Sequence, residues 1–205
     1  MIQELVDNNY IFVPKFLKEN DCLNLTREFK NFCDQSNIVG DMQAPNSSSV
    51  YNFLPFVEVL TQSVPAVCNL IKESVFPTYC YARIYRAGDD LKRHKDRPAC
   101  EISMTVNLYQ KKDWPIYIKT PKGEERKVSF ECGDAMLYLG CQAEHWREEI
   151  NQEEVVQLFL HFVRSRGENN WALFDYGQND NKLNNAIVGQ NKPKPITNKK
   201  MGWFL

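Results

Sequence analysis

Histidine is scarce in this chain, with His94, His145 and His161 the only three among 205 residues. An excess of either charge is also missing: 25 Lys and Arg stand against 26 Asp and Glu, for a formal net charge of −1. No overall field therefore draws in nucleic acid or an anionic membrane surface. The opening "MIQELVDNNYIFVPKF" lacks the basic, apolar and small-residue succession of a secretory leader, and nowhere do eighteen apolar residues run uninterrupted. A soluble cytoplasmic protein is expected, without nucleic-acid or membrane partners. The seven cysteines, at 22, 33, 68, 80, 100, 132 and 141, are odd in number and contain no CxxC pair, which predicts reduced thiols. With no secretory route, "NLT" at Asn24 and "NSS" at Asn46 are coincidental as glycosylation acceptors. Internal repeats, heptads and any signal of oligomeric state are absent as well.

What is present is an ordinary globular composition, 43% hydrophobic and 25% charged, over a length that suits one domain. The N-terminal third reads as helical, to about residue 76. A short strand is expected at Tyr10 to Val13, then a helix from about Lys18 capped by Asn20 or Asp21, burying Cys22, Leu23, Phe29, Phe32 and Cys33. "GDMQAPNSSSVYN" reads as a loop by its Gly, Pro, Asn and Ser content. In the amphipathic stretch "FVEVLTQSVPAVCNLIKESVF", Pro65 is expected to start or interrupt a helix.

From about 77 to 165 the texture changes. "TYCYARIYRAG", "EISMTVNLYQ", "WPIYIKT", "KVSFECG", "DAMLYLG" and "VVQLFLHFV" are short apolar or alternating runs separated by turns, the pattern of a β-sandwich or barrel. The remainder, about 166 to 205, is rich in Asn, Lys and Pro. It reads as a tail or flap with Trp203, Phe204 and Leu205 as a possible anchor.

Because histidines are so few, their positions carry weight. In "RHKDRPACEI", His94 and Asp96 lie two apart and, on a strand or its edge, project to one side. His145 follows about fifty residues later, after the turn "CGD" and the apolar run "AMLYLG". Two histidines and one carboxylate on one face of a metal leave positions open for a cosubstrate and dioxygen, the arrangement of non-haem Fe(II) oxygenases. His161, in the apolar run "QLFLHFV", is read as a satisfied core side chain and left out of the metal set.

The order H-x-D, spacer and distal His resembles the 2-oxoglutarate- and Fe(II)-dependent oxygenases, and within them the prolyl 4-hydroxylase branch. "YIFVPKFLKENDCLNL" is similar to that family's opening strand and helix, and "ARIYRAGDDLKRHKD" to its approach to the first His. "VNLYQKKDWPIYI" and "ECGDAMLYLGCQAEHWRE" are similar to its next strand and its Gly-Asp turn, so the resemblance spans about residues 8 to 163. It implies a double-stranded β-helix core of the jelly-roll or cupin-like kind, with N-terminal helices packed on it. It also implies Fe(II) held by His94, Asp96 and His145, and 2-oxoglutarate and O2 as cosubstrates. Oxidative decarboxylation to succinate and CO2 would then accompany hydroxylation of a prolyl or other peptidyl side chain, or of a free amino acid or small metabolite.

In one respect the chain departs from the family. The Arg or Lys that anchors the far carboxylate of 2-oxoglutarate lies about ten residues past the distal His in prolyl hydroxylases, and here "EEVVQLFLHFV" has no basic residue before Arg164. Arg147, two beyond His145, and Arg83, alternating with Tyr81 and Tyr85, are the substitutes, Arg147 favoured because a continuing strand turns it to the side of His145. Gln157 and Tyr85 are expected to help, with Asn107 and Tyr109 as weaker candidates. Trp114, Trp146, Cys100 and Cys141 lie near the motifs but read as packing. Two other classes stay open: a cupin-like metal-binding protein without turnover, favoured by the missing basic residue, and a metal-dependent hydrolase, for which no HExxH motif or second carboxylate cluster speaks.

Overall fold

The structure is a computed structural model that describes residues 2–174. The polar stretch beyond 174, with its expected anchor at Trp203, Phe204 and Leu205, lies outside the described residues. A seven-residue helix α1 (Ile2–Asn8), for which no signal was read, leads into β1 (Tyr10–Val13), at the predicted place. Helix α2 (Glu19–Gln35) follows, then β2 (Ser48–Tyr51) and α3 (Leu54–Ile71). The β-core continues through β3 (Val75–Arg86), β4 (Leu91–His94), β5 (Ile102–Gln110), β6 (Ile116–Lys119) and β7 (Glu125–Val128). It closes with β8 (Ala135–Tyr138), β9 (His145–Arg147) and β10 (Glu154–Arg164).

Among the described residues ten strands form two antiparallel sheets, a larger one ordered β1-β8-β5-β10-β3-β2 and a smaller one ordered β4-β9-β6-β7. This is the double-stranded β-helix that the resemblance implied. Alternation along the central strands of the larger sheet explains its two faces. Ala82 and Ile84 of β3, Met104 and Val106 of β5, and Val156, Leu158 and Leu160 of β10 join one apolar cluster with Phe29 of α2 and Phe56, Leu60, Val67 and Ile71 of α3. The intervening residues, Arg83 and Tyr85, Ser103, Thr105 and Asn107, Gln157, Phe159 and His161, take the other face. Most of these are polar yet buried, so the interior they line is built for something other than apolar packing.

The N-terminal region departs from the sequence reading in four places. The N-cap of α2 is Lys18, without a side-chain cap, while Asn20 and Asp21 fall in the first turn, where Asp21 complements the helix dipole. Its buried stripe is Cys22, Thr26, Phe29 and Cys33, and Leu23, one residue off that stripe, is 50% exposed. The predicted loop contains β2, because "SSVY" pairs with β3 from Ser48↔Ile84 to Tyr51↔Tyr81. Pro65 neither starts nor interrupts α3: Pro55 occupies the first turn, where a missing N–H costs nothing, and Leu60 and Val67, flanking Pro65, are both in the core. By length and composition α3 is apolar enough to cross a membrane; here one face of it packs on β3.

Candidate metal centre

His94 closes β4, and β4 pairs with β9 so that His94 sits opposite His145. The two rings are 4.3 Å apart between centroids. Asp96 lies at the strand's edge, in the turn just past β4. The turn is fixed by the Asp96 backbone N–H, which donates to the Gly140 carbonyl at 2.9 Å. Asp96 Oδ1 then lies 3.5 Å from His94 Nε2 and 3.6 Å from His145 Nε2, and the three donor atoms fall within 4.8 Å of one another.

The imidazoles are aimed by their other nitrogens. His94 Nδ1 is 2.7 Å from the Lys92 carbonyl and His145 Nδ1 is 3.0 Å from the Ala143 carbonyl. A carbonyl only accepts, so both Nδ1 atoms carry a proton and both Nε2 atoms turn towards Asp96. The second carboxylate oxygen, Asp96 Oδ2, accepts from Ser103 Oγ at 2.7 Å. Gly140 gives the carboxylate its room: a Cβ there would collide with the Cys100 carbonyl, Asp96 Oδ2 and Ser103 Oγ.

Charge is tuned to match. Burial pushes the Asp96 carboxyl up, but the His94 hydrogen bond, the nearby His145 and His161, and the Ser103 hydroxyl outweigh it and bring it to about 2. Burial pulls His94 down, yet Asp96 and the Lys92 carbonyl hold it above the ordinary imidazole value. His145 is lowered by burial, with Asp96 opposing and His94 reinforcing. An ionised carboxylate beside two imidazole Nε2 atoms, whose lone pairs an incoming cation would claim in place of a proton, is a donor set for a divalent transition metal, with one face left open.

That face opens on a cavity of about 260 Å³ whose lining includes Tyr51, Tyr79, Tyr81, Tyr85, Phe159 and His161. Behind it stand two fully buried arginines with different surroundings. Arg83 is paired with Asp41 at 2.5 Å and also donates to Tyr81 Oη and Gln43 Oε1. Arg147, 2% exposed, has no carboxylate within ion-pair distance among the described residues. It donates to the Trp114 carbonyl and, at 3.3 Å, to Gln157 Oε1, while its Nε finds no acceptor. Burial lowers its pKa to about 10, which still leaves a cation at neutral pH. An unpaired guanidinium enclosed this way costs several kcal/mol unless an anion joins it. Gln157 is held in turn, accepting from Thr105 at 3.2 Å and donating to Asn107 Oδ1 at 2.9 Å.

The site residues singled out from the sequence can now be placed. Arg147, Gln157, Asn107 and Tyr85 face one interior, and Trp114 packs against Tyr85 and beneath Arg147. Tyr109 turns the other way, into the apolar cluster, because a bulge opposite Val156 and Gln157 shifts the register. Trp146 lies between Arg93 and Tyr117, stacked on the latter. Cys100 lines the cavity and Cys141 donates to the Arg97 carbonyl. Sequence reasoning missed Ser103, Gly140, Tyr51 and Tyr79. The alternation of Ser103, Thr105 and Asn107 through an otherwise apolar strand was the available signal for the first.

No protein-family model and no curated protein matches the sequence; solved structures do. A prolyl-4-hydroxylase from Pseudomonas putida superposes with a TM-score of 0.64 at 17% identity, over 81% of this chain and 97% of its own. A Trichoplax adhaerens prolyl hydroxylase, bound to a peptide of the hypoxia inducible factor oxygen degradation domain, gives 0.64 at 12% over 78% and 86%. The epimerase SnoN, with Fe3+, alpha ketoglutarate and nogalamycin RO, gives 0.69 at 12% over 88% and 90%. The chain therefore has the fold of the 2-oxoglutarate/Fe(II) oxygenases, prolyl 4-hydroxylases among them.

Proposed function

We propose that the protein is a 2-oxoglutarate- and Fe(II)-dependent dioxygenase. His94 Nε2, Asp96 Oδ1 and His145 Nε2 hold the iron, and Arg147 receives the far carboxylate of 2-oxoglutarate with Gln157 and Tyr85 beside it. The observation that carries this reading is the pairing of a convergent two-His, one-carboxylate donor set with an unpaired buried cation in the same β-helix interior. The iron and 2-oxoglutarate seen in the SnoN complex support the same pair here. When bound, they supply dioxygen activation, with 2-oxoglutarate oxidised and decarboxylated to succinate and CO2.

The chain's own residues bind and orient. His94 and His145 donate through Nε2 because their Nδ1 protons are committed to carbonyls. Arg147 offers a planar fork to a carboxylate, which aims the cosubstrate's keto-acid end at the metal. Tyr51, Tyr79, Tyr81 and Phe159 make the cavity wall aromatic and limit water around the open face. We assign the reaction as hydroxylation, with a prolyl or other peptidyl side chain as the first substrate to try; the likeness to two prolyl hydroxylases supports that order.

Purified protein supplied with Fe(II) and 2-oxoglutarate in air is expected to form succinate, slowly even without a prime substrate. A protein that binds both yet never consumes 2-oxoglutarate with any peptide or amino acid offered would instead be a metal-binding β-helix without turnover. Zinc-dependent hydrolysis indifferent to oxygen would favour a hydrolase.

A further inference from the structure

Beyond the three donors, one buried histidine points at the same site. His161 lies on β10 opposite Ser103 of β5, 6% exposed, with its ring 4.6 Å from that of Tyr79. Its Nδ1 is 2.9 Å from Ser103 Oγ, and Ser103 Oγ is 2.7 Å from Asp96 Oδ2. Proton counting orders this string. Asp96 is ionised and only accepts, so the single Ser103 hydroxyl proton goes to Oδ2, a charged acceptor nearer than the Cys100 carbonyl at 3.2 Å. Ser103 Oγ must then accept from His161, whose Nδ1 carries a proton and whose Nε2 does not.

We propose that His161 is a positioning residue for the metal carboxylate: through Ser103 it holds Asp96 Oδ2 back, so that Oδ1 alone faces the two histidine Nε2 atoms. The inference rests on the metal site proposed above. It separates two roles that a space-filling histidine would not distinguish. Packing against Tyr79 needs only a flat ring, whereas holding Ser103 needs a donor at Nδ1. A direct role as ligand is disfavoured. Asp96, Cys100 and His161 do bring donor atoms within 4.8 Å, but Cys100 Sγ lies 2.9 Å from Tyr79 Oη and burial pushes its thiol up to about 12, so that trio lacks a thiolate donor. β10 thus serves both halves of the site, Gln157 towards the arginine and His161 towards the metal.

Co(II) titrated anaerobically into the full chain tests this without turnover, reading both the dissociation constant and the visible absorption band. Ser103→Ala and His161→Phe are expected to weaken Co(II) by about 10- to 100-fold and to alter the band. His161→Asn, whose amide N–H takes the place of Nδ1–H, is expected to recover most of both. The double variant Ser103→Ala/His161→Phe is expected to bind no worse than the weaker single variant, because the two act as one string. Should His161→Phe fail to fold, Ser103→Ala removes only one oxygen and carries the test. Co(II) affinity in Ser103→Ala within about threefold of wild type, well short of the usual effect, would overturn the inference, as would His161→Asn as impaired as His161→Phe. Wild-type protein that takes up no Co(II) would defeat the metal reading itself.

Discussion

His94 and His145 face each other across the β4–β9 pair and direct their Nε2 atoms at the same carboxylate oxygen, 3.5 and 3.6 Å away. Neither residue is near the other in sequence, and neither strand is long. Their meeting depends on three short-range devices: two Nδ1–carbonyl hydrogen bonds that turn the rings, and the Gly140 carbonyl that fixes the turn carrying Asp96.

Asp96→Ala removes the one anionic donor. Two imidazoles alone bind a divalent ion weakly, so Fe(II)-dependent turnover is expected to vanish while the fold persists. Succinate production and circular dichroism measure the two effects side by side. Retained activity would take Asp96 out of the site.

Arg147→Met is expected to raise the 2-oxoglutarate requirement by about 100-fold, the loss of a desolvated charge-assisted contact. Thermal stability should hold or rise, since the substitution removes a buried cation that has no carboxylate partner among the described residues. Arg83→Met should behave in the opposite way. It breaks the contacts to Asp41, Gln43 and Tyr81 and should cost about 1–3 kcal/mol, with little change in the 2-oxoglutarate requirement. The reverse result would make Arg83 the anchor.

A third expectation concerns acid stability of the metal-free protein. Burial depresses His161 to about 4, with Asp96 opposing and Arg97 and His145 reinforcing, against 6.5 for an ordinary imidazole. Between those values the unfolded chain takes up a proton that the folded chain refuses. The contribution of His161 is therefore full above pH 6.5, falls with pH through the window, and is lost once pH reaches about 4. His145 is shifted in the same direction, while the Asp96 carboxyl at about 2 titrates below the window. His161→Asn cannot titrate, so it should flatten the fall in unfolding free energy between pH 6.5 and 4, by on the order of 3 kcal/mol at most. Parallel curves for variant and wild type would contradict the shift.

In α2, the observed stripe makes a simple contrast. Phe29, fully buried between Phe53 and Phe56, should cost about 3–5 kcal/mol on truncation to Ala. Leu23, half exposed, should cost little. Chemical denaturation of the two variants distinguishes them.

The convergence of His94, Asp96 and His145 could be read from sequence because histidine is rare here and the Gly-Asp turn before the strand leading to His145 marks where the chain returns. Gly133 at φ 83 and Asp134, accepting from the backbone N–H of Glu131, make that turn largely a local matter. Arg147 followed from two-residue alternation on β9. What escaped depends on long-range register. Ser103 and His161 meet only because β5 and β10 pair as they do, and Tyr109 was misplaced because a bulge shifts that same pairing. β2 is a strand only by virtue of β3 beside it, and α3 runs through Pro65 because its flanking residues are held in the core. Local composition carries no trace of such partners.

The most direct test of the site is a crystal structure grown anaerobically with Fe(II) and 2-oxoglutarate. The account predicts one iron bound by His94 Nε2, Asp96 Oδ1 and His145 Nε2, with the far carboxylate of 2-oxoglutarate on Arg147. Iron seated instead among Asp96, Cys100 and His161, or a carboxylate that displaces Asp41 from Arg83, would contradict it.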